Sequence, residues 1–71
     1  MAESVYKVIE LVGTSSVSWD KAATAAVTRA AKTLRDLRVA EVSELDLQLE
    51  NGKVKAYRAK VKVSFKFDPG K

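Results

Sequence analysis

With 71 residues the chain has room for one domain, taken as residues 1–71, and for little core, because a chain of this size buries only about 60% of the surface its unfolded form exposes. It has no cysteine and no histidine, which excludes disulfides, thiolate metal centres, and both the commonest general base and the commonest transition-metal ligand. Thirteen basic and nine acidic residues leave a formal charge of +4, a mild preference for acidic ligands without the concentrated basic, aromatic-studded stripe of a nucleic-acid binder.

No segment approaches the roughly 18 apolar residues of a membrane span, and the N-terminus lacks a signal-peptide pattern. The expectation is a cytoplasmic protein with neither a nucleic-acid nor a membrane partner. Yet 46% of the residues are apolar. Without disulfides or a metal to reinforce a small core, self-association is the expected source of further burial.

Residues 5–12 are rich in β-formers and read as the first strand, ended by Gly13. Its apolar residues fall on both faces, so cover is expected on both sides. The polar connection Gly13-Thr14-Ser15-Ser16-Val17-Ser18 leads to a helix with Ser18 as the preferred N-cap, Ser16 as its competitor, and Asp20 set favourably against the helix dipole.

From 19 to about 37 the period is helical: Trp19, Ala23, Ala26, Val27, Ala30, Leu34 and Leu37 form one stripe. Its alanine-rich middle predicts a close approach to a sheet. Residues 39–50 and 53–67 then alternate as two long strands about Asn51-Gly52. A two-residue turn pairs Glu50 with Lys53 and sets Leu45 opposite Arg58. A three-residue turn with Gly52 left-handed sets Leu45 opposite Tyr57 and Glu44 opposite Arg58, keeping apolar with apolar and acid with base, and is therefore expected. Residues 68–71 read as a frayed tail. The fold class is α+β, in β-α-β-β order, with a three-stranded antiparallel sheet wrapped around one helix. One helix cannot cover so long a hairpin, and an open sheet leaves two edges that invite other copies.

Catalytic chemistry finds little support, and the expectation is that the chain is not an enzyme. Ser15, Ser16 and Ser18 read as loop and capping residues, and Gly13 stands alone rather than in a phosphate-binding loop. Trp19 reads as core or interface rather than a ligand platform. Lys60, Lys62 and Lys66 form either a phosphate-binding strip or, more simply, a solvated face paired with Glu44 and Asp46. Glu41, Glu44, Asp46 and Glu50 offer oxygen ligands for a hard cation such as calcium. A single strand cannot wrap an ion, but copies meeting at a symmetry axis can.

Val5-Tyr6-Lys7-Val8-Ile9-Glu10-Leu11-Val12-Gly13-Thr14-Ser15, then Ala30-Ala31-Lys32-Thr33-Leu34-Arg35, Glu41-Val42 and Val63-Ser64-Phe65, together resemble the dodecin family over nearly the whole chain. The resemblance implies a hollow shell of twelve copies that stores or buffers a flavin, FMN or riboflavin, held between subunits. It also implies where that flavin would sit. Val39 stands where the family has its stacking tryptophan, and Arg58, after Tyr57, where it has a glutamine on the isoalloxazine edge. Asp46 replaces an arginine that helps hold the FMN phosphate, and Lys66 keeps a late basic residue. The expectation is a homododecameric small-ligand binding or storage protein whose flavin site at Val39, Asp46, Arg58 and Lys66 is weakened, altered or lost. The alternatives are a calcium-binding shell and a purely structural assembly.

Overall fold

A computed structural model describes residues 3–67. The elements run β1 (Tyr6–Ser15), α1 (Trp19–Ala31), β2 (Leu37–Glu50) and β3 (Lys53–Lys66). The three strands form one antiparallel sheet in the order β1-β3-β2, with β3 central and the other two as edges. The expected β-α-β-β architecture is therefore the one observed. The expected tail, 68–71, lies outside the described residues.

The helix begins where its capping chemistry puts it. Ser18 is the N-cap, in extended backbone, and its Oγ accepts from the Lys21 amide at 3.2 Å. Ser16 takes no part in the cap. Ser15 instead braces the connection, its Oγ accepting from the Val17 amide at 2.9 Å. The Asp20 carboxyl is held below its ordinary range, first by a hydrogen bond with the Ser18 side chain and then by its own backbone amide.

The helix ends at Ala31, well short of the expected Leu37. Its last turn closes with the Thr33 and Leu34 amides donating to the Ala30 carbonyl. Asp36 then adopts φ 60° and turns the chain back into β2. The cause is tertiary: Leu37 pairs with Phe65 as the first residue of a strand, and the Lys66 amide donates to the Asp36 carbonyl. Leu37 thus reaches the core from the sheet while fitting the helical stripe in sequence, which is why periodicity alone overran the boundary.

The core is small and made of small residues. Ala22 and Ala26 of the helix pack on Ala59, Val61 and Val63 of β3, with Ile9, Leu11, Ala23, Val27 and Leu37 partly buried around them, and Ala30 is buried in the last turn of the helix. The buried row of the helix is Ala22, Ala26 and Ala30, so Ala22, absent from the expected stripe, is buried, while Ala23 is only partly so. Gly13 does not end β1, which continues two residues further. A Cβ at Gly13 would overlap the Ala22 carbonyl oxygen and lie 3.1 Å from the Ala26 Cβ. The glycine is there to let helix and strand touch.

The hairpin corrects the expected register. Glu50 pairs with Lys53, so the turn has two residues, and both Asn51 (φ 54°) and Gly52 (φ 76°) are left-handed, as a type I′ turn requires. A bulge beside Lys55 then shifts the register by one, so that Leu47 faces Tyr57, Asp46 faces Arg58, Leu45 faces Ala59 and Glu44 faces Lys60. Matching of like faces is achieved, but by a bulge rather than a longer turn. Two further irregularities, at Ser43 and Arg38, bend the edge strand β2.

Candidate functional site

The face of the sheet turned away from the helix carries the charged chemistry. Residues that pair across an antiparallel ladder share a face, so the rows can be read across the three strands. They run Thr14–Arg58–Asp46, then Val12–Lys60–Glu44, Glu10–Lys62–Glu41 and Val8–Ser64–Val39, with Tyr6 beside Lys66 at the end. A column of cations on the central strand is thus flanked by carboxylates on β2.

The Arg58–Asp46 pair is the best-defined contact. Arg58 Nε donates to Asp46 Oδ1 at 2.7 Å and Nη2 donates to Oδ2 at 2.9 Å, a bidentate fork. Each partner stabilises the other's charge. The hydrogen bond from Arg58 holds the Asp46 carboxyl below its ordinary range, and that same bond raises the Arg58 guanidinium. Lys60 meets Glu44 at 3.3 Å and is raised first by that hydrogen bond. Lys55 meets Glu50 at 3.6 Å.

Trp19 holds this region from the helix side. Its Nε1 donates to the Asp46 carbonyl at 3.0 Å, and its ring meets Tyr57 edge-on at a centroid distance of 5.2 Å. The first residue of the helix therefore fixes the backbone of Asp46 and packs on the neighbour of Arg58. The expectation that Trp19 packs was sound, but its bond to Asp46 spans 27 residues and no local pattern signals it. Between the helix and β2, a groove of about 460 Å³ is lined by Trp19, Asp20, Ala23, Thr24, Val42 and Leu45.

The four flavin positions separate into two pairs. Asp46 and Arg58 are bound to each other. Val39, 60% exposed, lies opposite Ser64, whose Oγ donates to the Val39 carbonyl at 3.4 Å, and Lys66 lies two residues further along β3. Seven residues of strand separate Val39 from Asp46, roughly 23 Å at the rise of a β-strand. A site drawing on both pairs at close range needs more than one chain. The carboxylates tell a similar story: Glu44, Asp46 and Glu50 each meet a cation of their own chain, and Glu41 faces Lys62. Among the described residues, no group of three or more Asp or Glu converges as a metal cage. Also among the described residues, no helix is long and apolar enough to cross a membrane.

A small strand–helix–hairpin protein, with one three-stranded antiparallel sheet packed on a single helix, defines the class. The dodecin family model matches residues 5–68. A calcium dodecin of Mycobacterium tuberculosis is 48% identical over 66 residues, covering 93% of each chain. A dodecin of Thermus thermophilus is 42% identical over 64 residues, covering 90% of this chain and 93% of that one. The solved dodecin of Streptomyces coelicolor superposes with a TM-score of 0.90 at 38% identity, over 99% of this chain and 100% of that one. The crystal structure of the M. tuberculosis protein, described as a calcium-chelating antigen with a novel calcium-binding site, superposes with a TM-score of 0.81 over 96% of this chain and 97% of that one. The chain belongs to the dodecin family.

Proposed function

We propose that this protein is a non-enzymatic, cytoplasmic small-ligand binding and storage protein, a hollow homododecamer whose flavin positions have been altered so that flavin binds weakly or not at all. The observation that carries the reading is the pair of changes at those positions. An exposed aliphatic side chain, Val39, stands where an aromatic platform is expected, and Arg58 is occupied by the Asp46 carboxylate. Stacking between aromatic rings contributes about 0.5–1.5 kcal/mol beyond burial, and valine has none to offer. Assembly is supported by the thirteen large hydrophobic residues left exposed among the described residues of one chain.

Titration of FMN or riboflavin with the protein tests the reading. Flavin fluorescence is expected to change little at micromolar protein, and a Val39→Trp variant is expected to restore quenching. Strong quenching by the unaltered protein, as in an intact flavin site, would contradict it.

A second reading, calcium binding, is favoured by the identity to a calcium dodecin and by the carboxylate column on β2. Carboxylates from several copies could supply the six to eight oxygens calcium takes. A chelator is then expected to lower the melting temperature of the assembly and added calcium to restore it. An unchanged melting curve in both conditions excludes this reading.

A further inference from the structure

The β2–β3 hairpin continues beyond everything else in the chain. β1 ends at Ser15, opposite Tyr57, and α1 begins at Trp19, which packs on that same Tyr57. Past this line two strands run on alone to the Asn51-Gly52 turn, and every residue from 48 to 55 is exposed. A bare two-stranded arm of this kind is at best marginally stable in water.

The tip of the arm carries the chain's only asparagine, and a glycine follows it. That dipeptide suits the turn, which holds both residues left-handed, at φ 54° and φ 76°. It is also the dipeptide most open to reaction with itself, because glycine has no side chain to shield its amide nitrogen. The last pair of the ladder is Glu50 with Lys53, so the Gly52 amide lies outside the ladder. A Cβ placed on Gly52 would meet nothing within 4 Å. Among the described residues, no hydrogen bond engages the Asn51 side chain. Nucleophile and carboxamide are thus adjacent, unshielded and exposed. Lys53 follows directly, and a neighbouring cation favours the deprotonated form of the attacking nitrogen.

We propose that Asn51 is a site of spontaneous deamidation, and that its isoaspartyl product undoes the arm. The Gly52 amide nitrogen loses its proton and attacks Asn51 Cγ. The N–Cγ bond forms, the Cγ–Nδ2 bond breaks, and Nδ2 takes up a proton and leaves as ammonia. Water then opens the five-membered imide on one side or the other. Opening at Cγ leaves an aspartate, which suits the same turn. Opening at the main-chain carbonyl leaves isoaspartate, whose main chain runs through the former side chain and is one methylene longer. The length of a two-residue turn sets the register of its hairpin, so the Glu50–Lys53 and Leu49–Val54 pairs no longer align in that product. The inference does not depend on which ligand the protein binds.

The intact protein is incubated for weeks at physiological temperature across a series of pH values from neutral upward. It is then digested with trypsin, and the peptide spanning residues 39–53 is analysed by mass. That peptide is expected to exchange NH2 for OH and to split into two chromatographic peaks matching synthetic aspartate and isoaspartate standards. The rate is expected to rise with hydroxide concentration. Asn51→Gly keeps a dipeptide that forms this turn and is expected to release no ammonia and hold its mass. Incubated protein is also expected to be cut by chymotrypsin after Leu47 and Leu49 several-fold faster than freshly prepared Asn51→Asp, which has the carboxylate without the longer main chain. An Asn51 peptide that stays unchanged in the folded protein overturns the proposal, whether or not the same chain converts in urea. A mass change that persists in Asn51→Gly overturns it too. Equal chymotryptic cleavage of the incubated protein and Asn51→Asp overturns the loss of the arm.

Discussion

Asp46 is bound twice. Its side chain grips Arg58 through two hydrogen bonds, and its carbonyl receives the Trp19 indole N–H. The carboxyl is held below its ordinary value of 3.8, chiefly by the Arg58 hydrogen bond. A carboxyl whose folded value is depressed adds stability above its unfolded value and loses it as pH falls through the folded one. The difference in melting temperature between the protein and an Asp46→Asn variant should therefore be constant from neutrality to about pH 5 and shrink below about pH 4. Melting curves across that range check it, and a difference that stays flat to the acid limit would show that the pair does not titrate as a unit. The pairing of acids with bases along these strands was legible from their alternation. The partner of each was not, because a one-residue bulge beside Lys55 decides it and a bulge leaves the composition of a strand unchanged.

At the level of elements, contact between α1 and β1 depends on the absence of side chains. Ala22 and Ala26 present no more than a methyl group each, and Gly13 meets them with no side chain. Gly13→Ala should destabilise the protein by about 1–3 kcal/mol, the usual penalty for overpacking a filled core. Denaturant unfolding at fixed protein concentration measures this, and an unchanged midpoint would mean that the helix can lift away from β1 freely. Gly13 illustrates a limit of reading along the chain. Punctuation by glycine suggested a strand end, whereas the structure uses the residue inside the strand for close approach. The helix start was legible because Ser18 and Asp20 act on backbone groups within three residues. Its end was not, because Leu34 and Leu37 suit a helix equally well until Leu37 finds Phe65 across the sheet.

The whole molecule is long for its mass. Its radius of gyration is 14.7 Å and its extents are 54 × 20 × 14 Å, against about 11 Å expected for a compact chain of this length. The excess is the hairpin arm. On the oligomeric reading proposed above, a chain with so little core of its own draws stability from other copies, and mass action then ties melting to concentration. The melting temperature should rise when the protein is concentrated tenfold within the range where the assembly begins to dissociate. Differential scanning calorimetry at two such concentrations checks this, and coincident transitions would point to a chain stable by itself.

Composition and alternation by themselves determined the element order, the antiparallel hairpin and the N-cap at Ser18, because each follows from neighbours in sequence. The blocks Val5 to Ser15, Ala30 to Arg35, Glu41-Val42 and Val63 to Phe65 together indicated the dodecin family. Only the tertiary structure decided that Asp46 lies against Arg58 and beneath Trp19, that Val39 and Lys66 stand at the other end of the sheet, and that the arm extends beyond its own helix. Those outcomes depend on register, and register here is set by bulges and long-range pairs, to which a local period is blind.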